Sequence, residues 1–151
     1  MNVLERGAVL AFDFGVQRLG VAVGDWENRM AHPLEAIVGD SKDRRFGRIG
    51  ELVLEWRPRQ MVVGLPLTLA GAEQDNSRRA RRFANQLHGR HGLPVLLVDE
   101  RLTTCDANRL LREAGVKGNA RRALDDAVAA QQILQDYFDY AHALISPPAQ
   151  P

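Results

Sequence analysis

Apolar residues along the chain form short runs that alternate with stretches in which they recur at helical spacing. Five runs have the length and the valine and leucine content of β-strands, at 8–14, 19–24, 34–38, 61–64 and 94–98. Apolar residues three and four positions apart predict amphipathic helices, at 43–56, 76–88 and 125 to about 144. A further helix is expected from Thr103 or Thr104 to Gly115, because a threonine can cap its start and the glycine can end it.

The order of these elements predicts a mixed sheet. The first three strands follow one another with short connections, whereas the later strands alternate with helices, which favours parallel pairing. Right-handed crossovers place the fourth and fifth strands beside the first. The carboxyl ends of the first and fifth strands then share the edge at which open α/β sheets usually bind ligands. We therefore expect a five-stranded α/β fold flanked by helices, with Asp13 and Glu100 close together at that edge.

The first apolar run ends in a single carboxylate, that of Asp13. A lone carboxylate at the end of a buried strand is costly unless it is paired, hydrogen-bonded or bound to a metal ion. Gly15 follows and leaves room for a ligand or for backbone to come close. An aspartate that caps the turn after a strand explains Asp13 equally well, since aspartate is an ordinary turn residue.

Length and composition indicate one globular domain in a reducing compartment. A chain of 151 residues with 45% hydrophobic and 26% charged residues is typical of a single soluble domain. We expect this domain to span 1–145 and the proline-rich end at 146–151 to be disordered. No apolar run approaches the roughly 20 residues that span a bilayer, and the N-terminus lacks a secretory signal. The single Cys105 cannot form an internal disulfide, so a cytoplasmic location is expected.

The net charge of +1 conceals a local excess of arginine. The segment 76–98 contains no acid but five arginines, three of which project from the outer face of the predicted second helix. Arginine binds phosphate with two parallel hydrogen bonds, so Arg78, Arg81 and Arg82 are candidates for nucleic-acid binding. Arginine-rich codon usage in a GC-rich genome is the competing explanation.

Five short motifs give the chain a resemblance to the YqgF family over about 8–138. They occur in the family's order and are Phe12-Asp13-Phe14-Gly15, Gly20-Val21-Ala22-Val23-Gly24, Val63-Gly64-Leu65-Pro66, Asp99-Glu100-Arg101-Leu102-Thr103-Thr104 and Asp126-Ala127-Val128-Ala129-Ala130. The resemblance implies a ribonuclease H-like fold. It also implies an activity, because the family is described as Holliday-junction-resolvase-like and as nucleases that mature the 5′ end of pre-16S ribosomal RNA.

The same resemblance implies a catalytic site of three acids. They are the strand aspartate Asp13, the glutamate of the Asp-Glu-Arg motif, Glu100, and the aspartate that opens the last helix, Asp126. Asp125 also precedes that helix, but the spacing to the apolar residues that follow favours Asp126. The competing explanations are a surface ion pair of Glu100 with Arg101, and a favourable charge of Asp126 at a helix N-terminus.

The chemistry of phosphodiester hydrolysis agrees with three acids at one sheet edge. The reaction needs an activated water and charge stabilisation at the leaving oxygen, and two divalent cations supply both. Carboxylates suit Mg²⁺ or Mn²⁺, so we expect two such ions on Asp13, Glu100 and Asp126. One cysteine and four scattered histidines give no zinc spacing. Arg101, Arg121 and Arg122 flank these acids and are further candidates for phosphate contact.

We therefore expect a metal-dependent nuclease acting on structured RNA or on branched DNA, without a membrane partner. Precursor ribosomal RNA is the favoured substrate because the resemblance implies it. A Holliday junction resolvase is the nearest alternative, and it should be a two-fold dimer like its substrate, so monomer and homodimer both stay open. A phosphotransferase of the actin and sugar-kinase type also begins with an Asp-x-Gly hairpin, but it needs two such domains. A non-catalytic nucleic-acid-binding module needs only the arginine-rich helix.

Overall fold

The structure is a computed structural model of the chain, and it describes residues 7–67, 70–100 and 119–146. The strands and helices in these ranges are β1 Ala8–Asp13, β2 Arg18–Asp25, β3 Met30–Val38, α1 Lys42–Trp56, β4 Gln60–Leu65, α2 Asp75–His91, β5 Val95–Asp99, α3 Asn119–Leu144 and β6 Ile145–Ser146. Helix α3 is kinked at Tyr140, whose backbone is not helical. In the described ranges, no helix combines the length and apolarity needed to cross a membrane.

The strands form one mixed sheet in the order β3-β2-β1-β4-β5-β6. Strand β1 is antiparallel to β2 and parallel to β4, which in turn is parallel to β5. The predicted mixed sheet of five strands is confirmed, and the two-residue β6 extends it along β5. Because β4 lies between β1 and β5, the ends of the first and fifth strands share an edge but are not adjacent.

Three predicted boundaries are wrong. Strand β3 begins at Met30 rather than Leu34, because Pro33 lies beside a register shift in an edge strand, where proline is tolerated. The last helix, predicted to begin at 125, begins at Asn119, because the residues before Asp125 include good helix formers. Ser146, predicted to begin a disordered tail, pairs with Leu97 in the sheet. Residues 147–151 and the predicted helix ending at Gly115 lie outside the described residues.

The alternation of side chains along the strands creates two cores. One face of the sheet packs against α1 and α2 through large residues such as Leu10 and Phe12. The other face packs against α3 through smaller residues such as Val9 and Ala11. Successive side chains of a strand point to opposite faces, so Asp13 belongs to the face that α3 covers.

Helix α3 approaches this face closely because β2, beyond its first residue Arg18, presents only small residues to it. By the same alternation these residues are Gly20, Ala22 and Gly24. A methyl group on Gly20 would lie 2.0 Å from the backbone oxygen of Asp126. Gly20 also pairs with Asp13 across the β1–β2 ladder. This close packing therefore fixes Asp126 beside the carboxyl end of β1.

Candidate active site

Two of the predicted acids lie in one cleft at the carboxyl edge of the sheet. Asp13 is the last residue of β1 and is only 8% exposed. Asp126 of α3 lines the same cleft as Asp13, and the volume of this cleft is about 470 Å³. Other polar residues of the lining are Gln17, Arg18, Asn76, Arg122 and Asp125. The cleft therefore places carboxylates and arginines side by side.

Glu100 follows β5 and lies beneath this edge rather than in the cleft. It is 1% exposed, and it is not part of the cleft lining among the described residues. Strand alternation puts it on the α3 face together with Val98, whereas Asp99 points to the opposite face. A methyl group on Gly64 would lie 2.9 Å from Oε1 of Glu100. The absence of a side chain at Gly64 in β4 therefore makes the space that the Glu100 carboxylate occupies.

These acids fit a hard divalent cation by their chemistry, because Mg²⁺ and Mn²⁺ prefer carboxylate oxygens. Their side chains are not gathered around a single point, however. Within the described ranges, no three acidic, histidine or cysteine side chains lie close enough together to hold one ion. The arrangement thus brings Asp13 and Asp126 into one cleft, with Glu100 close to the same edge of the sheet.

Asp126 lies further into α3 than the sequence predicted. The helix begins at Asn119, so Asp126 does not open it, and the charge effect of a helix N-terminus is confined to the first turn. A favourable N-terminal charge therefore does not explain Asp126. The neighbouring Asp125 also lines the cleft, but its carboxylate forms an ion pair with Arg121, with 3.4 Å between Oδ1 and Nε.

Arg18 lines this cleft but was not among the predicted site residues, since it lies between the first two predicted strands. It begins β2, and its Nε donates a hydrogen bond of 2.5 Å to Oδ2 of Asp126. Its Nη2 is buried and has no hydrogen-bond partner in the described part of the chain. The signal available in the sequence was that Arg18 is the only charged residue between the first two apolar runs.

The turn before Arg18 is held in place by a second arginine that was not predicted, Arg45 of α1. Its Nη2 donates hydrogen bonds to the backbone oxygens of Gly15 and Val16, 2.9 and 3.1 Å away. Burial lowers the pKa of the Arg45 guanidinium, and the charge of Asp40 opposes this. Arg45 precedes Ile49 by one helical turn on the buried side of α1, which was the available signal. The turn is therefore anchored to α1.

The remaining predicted arginines differ in their surroundings. Arg122 lines the cleft, Arg121 is exposed beside Asp125, and Arg101 lies outside the described residues. On α2, Arg78 forms an ion pair with Asp75 and Arg81 forms one with Glu73. Arg82 is exposed and has no ion pair with a described residue. Acids just before the acid-free segment thus neutralise two of its three predicted binding residues.

The mixed sheet, the helix α3 packed on one face and the acids at the carboxyl edge define a ribonuclease H-like α/β protein. The same fold is found in RuvC from Thermus thermophilus, solved in complex with a Holliday junction substrate. RuvC superposes with a TM-score of 0.56 at 18% sequence identity, covering 93% of this chain and 99% of that one. The ribonuclease H-like fold that the family resemblance implied is therefore confirmed.

The sequence itself identifies the family. Residues 7–140 match the sequence model of RuvX, described as a Holliday junction resolvase, and the chain belongs to this family. This confirms the predicted resemblance to the YqgF proteins. A relative from Bordetella parapertussis is 55% identical over 131 residues, 87% of this chain and 92% of its own. One from Nitrosomonas europaea is 49% identical over 143 residues, 95% and 97% of the two chains. Both bear the name "Putative pre-16S rRNA nuclease".

Proposed function

We propose that this chain is a metal-dependent nuclease that hydrolyses phosphodiester bonds in structured nucleic acid, and that it processes the 5′ end of pre-16S ribosomal RNA in the cytoplasm. The observation that carries the proposal is the cleft that both Asp13 and Asp126 line, with Glu100 close to the same sheet edge. The names of the relatives with about half of their residues identical to this chain support the RNA substrate.

Asp13, Glu100 and Asp126 are the residues that would hold two Mg²⁺ or Mn²⁺ ions. When bound, such ions activate a water and stabilise the charge on the leaving oxygen. The protein contributes the orientation of the ligands: strand β1 presents Asp13, the glycine at 64 leaves room for Glu100, and packing against Gly20 fixes Asp126. In the cleft, Arg122 is placed to bind the phosphate backbone of the substrate.

The test is incubation of the purified protein with pre-16S RNA and with a four-way DNA junction, in Mg²⁺, in Mn²⁺ and in EDTA. We expect cleavage of the RNA near its 5′ end with either metal and none in EDTA. If the protein cleaves neither nucleic acid with either metal, the proposal is overturned. Binding of both without cleavage would leave a nucleic-acid-binding module, and hydrolysis of ATP instead would favour a phosphotransferase.

A Holliday junction resolvase is the second candidate, favoured by the family description and by the fold shared with RuvC. The same experiment separates the two candidates. A resolvase should cut the junction symmetrically and leave the RNA intact. Its solution mass should be that of a homodimer, because the substrate has two-fold symmetry. A monomer that cleaves only RNA would exclude this candidate.

We expect Arg82→Ala to weaken RNA binding more than Arg81→Ala does. Arg82 is exposed and has no ion pair among the described residues, whereas Arg81 is already neutralised by Glu73. Loss of one phosphate contact should reduce the slope of log affinity against log salt concentration by about one unit. Anisotropy titrations of labelled RNA at several salt concentrations measure this slope. If both variants keep the wild-type slope, α2 is only a solvated surface.

We expect Gly64→Ala to slow cleavage about tenfold or more with little change in melting temperature. The added methyl group would lie 2.9 Å from Oε1 of Glu100 and 2.6 Å from the terminal carbon of Ile133. Both atoms end flexible side chains that can move, so the stability cost should be about 1 kcal/mol. The displaced carboxylate, however, leaves its position at the sheet edge.

The matched control for this substitution is Gly89→Ala in α2, where an added methyl group meets nothing within 4 Å. Cleavage rates and melting curves of both variants are compared with the wild type. If Gly64→Ala stays folded and cleaves at the wild-type rate, Glu100 has no role in the site.

A further inference from the structure

We propose that Arg18 belongs to the catalytic machinery. Its guanidinium binds the Asp126 carboxylate while no metal is bound, and it moves to bind the substrate phosphate when a divalent cation occupies Asp126. This inference rests on the proposed nuclease function. Two observations carry it. Arg18 contacts Asp126, and a second donor of the same guanidinium, Nη2, has no hydrogen-bond acceptor among the described residues.

Taken over both side chains, the ion pair of Arg18 with Asp126 is the least exposed ion pair between described residues. Its two side chains are 26% and 18% exposed, whereas those of Arg78 and Asp75 are 63% and 76% exposed. A partly shielded pair in a cleft is screened less by solvent and salt. The positive charge of Arg18 therefore acts directly on the carboxylate that is expected to bind metal.

The guanidinium of Arg18 has a donor left for a ligand. Its Nε bonds to Asp126, while Nη2 is buried without a partner in the described residues. Buried donors in native proteins are nearly always satisfied, and a planar guanidinium suits a phosphate with two parallel N–H groups. Because Arg18 lines the cleft, the fitting ligand is a phosphodiester of the nucleic-acid backbone.

A cation on Asp126 and the guanidinium of Arg18 compete for the same negative charge. Neutralising the carboxylate weakens its attraction for Arg18, and by linkage the presence of Arg18 weakens metal binding by the same factor. Arg45 anchors the preceding turn to α1. The change of partner from Asp126 to the substrate phosphate therefore requires movement of the Arg18 side chain only.

Arg18→Gln is the first test, because it removes the charge but keeps a donor for Asp126. In a calorimetric titration without nucleic acid, it should bind Mn²⁺ about threefold to fivefold more tightly than wild type, which is the effect of losing a partly exposed ion pair. Arg18→Lys keeps the charge and should bind Mn²⁺ like wild type. Unchanged or weaker Mn²⁺ binding by Arg18→Gln would overturn the proposal, because a residue that merely supports the fold would give that result.

The second test measures the phosphate contact without relying on cleavage. Anisotropy with a labelled RNA hairpin is recorded in EDTA and in Ca²⁺, which takes the same oxygen ligands. Arg18→Gln should bind like wild type in EDTA but weakly in Ca²⁺, with a salt slope lower by about one unit. Arg82→Gln, the control, should weaken binding equally in both conditions. Equal effects of Arg18→Gln in both conditions would also overturn the proposal.

Cleavage distinguishes this proposal from the proposed function itself. We expect Arg18→Gln to cleave pre-16S RNA about 100-fold more slowly, as when one donor to a developing oxyanion is lost. Arg18→Lys should also be slow, because its ammonium cannot offer the two-pronged contact. If wild-type protein cleaves nothing but Arg18→Gln changes Mn²⁺ and RNA binding as described, the nuclease function fails while the exchange at Arg18 stands.

Discussion

Asp13→Asn is expected to reduce metal-dependent cleavage by roughly 1000-fold while the protein stays folded, since a bound metal supplies several kcal/mol of transition-state stabilisation. The substitution keeps the size and shape of the side chain but removes the negative charge at the end of β1. Asp13 is nearly buried at the wall of the cleft, so its charge acts in a poorly screened environment. Single-turnover cleavage of pre-16S RNA measures the loss, and circular dichroism checks the fold.

Asp126→Asn should cause a loss of similar size, and Asp125→Asn is the matched control beside it. Both aspartates line the cleft, but the Asp125 carboxylate is engaged with Arg121 on the same helix. Asp125→Asn should therefore slow cleavage only a few-fold. Mn²⁺ should raise the melting temperature of wild type by mass action, and both Asp13→Asn and Asp126→Asn should lose most of this gain. If Asp125→Asn abolishes activity and Asp126→Asn does not, the third catalytic acid is Asp125 rather than Asp126.

The sheet and the edge on which the acids lie could be predicted from the sequence because both depend on local patterns. Short apolar runs identify strands, and the change from short connections to helical ones identifies where pairing turns parallel. Chain order and crossover handedness then place Asp13 and Glu100 at one edge. These steps do not depend on which side chains touch. The predicted strand order is therefore correct although the start of β3 was misplaced.

The contacts inside the site could not be predicted because they join distant parts of the chain. Arg18 and Asp126 are separated by 108 positions, and no local pattern indicates that the two side chains meet. The ion pairs of Arg78 and Arg81 were missed because the acid-free segment was considered apart from the two acids that precede it. The alternation Gly20-Val21-Ala22-Val23-Gly24 did contain a usable signal, since it puts three small residues on one face of a strand.

That alternation leads to the largest expected effect on stability. Gly20→Ala should destabilise the fold by about 3 kcal/mol, because the added methyl group collides with packed backbone. Its Cβ would lie 2.0 Å from the backbone oxygen of Asp126 and 2.6 Å from the carbonyl carbon of the same residue. Backbone of α3 cannot rotate out of the way as the end of a side chain can. The helix must therefore move away from the sheet along a face that is otherwise fully packed.

For a domain of this length, a loss of that size should lower the melting temperature by roughly 10 °C. The matched control is Gly47→Ala in α1, where an added methyl group meets nothing within 4 Å. In an exposed helix interior, alanine is favoured over glycine by about 1 kcal/mol, so the control should melt a few degrees higher. Thermal melts in EDTA separate this packing effect from metal binding. If Gly20→Ala melts within a degree or two of wild type, α3 does not rest on β2 at this point. Gly20 would then not be what fixes Asp126 beside Asp13.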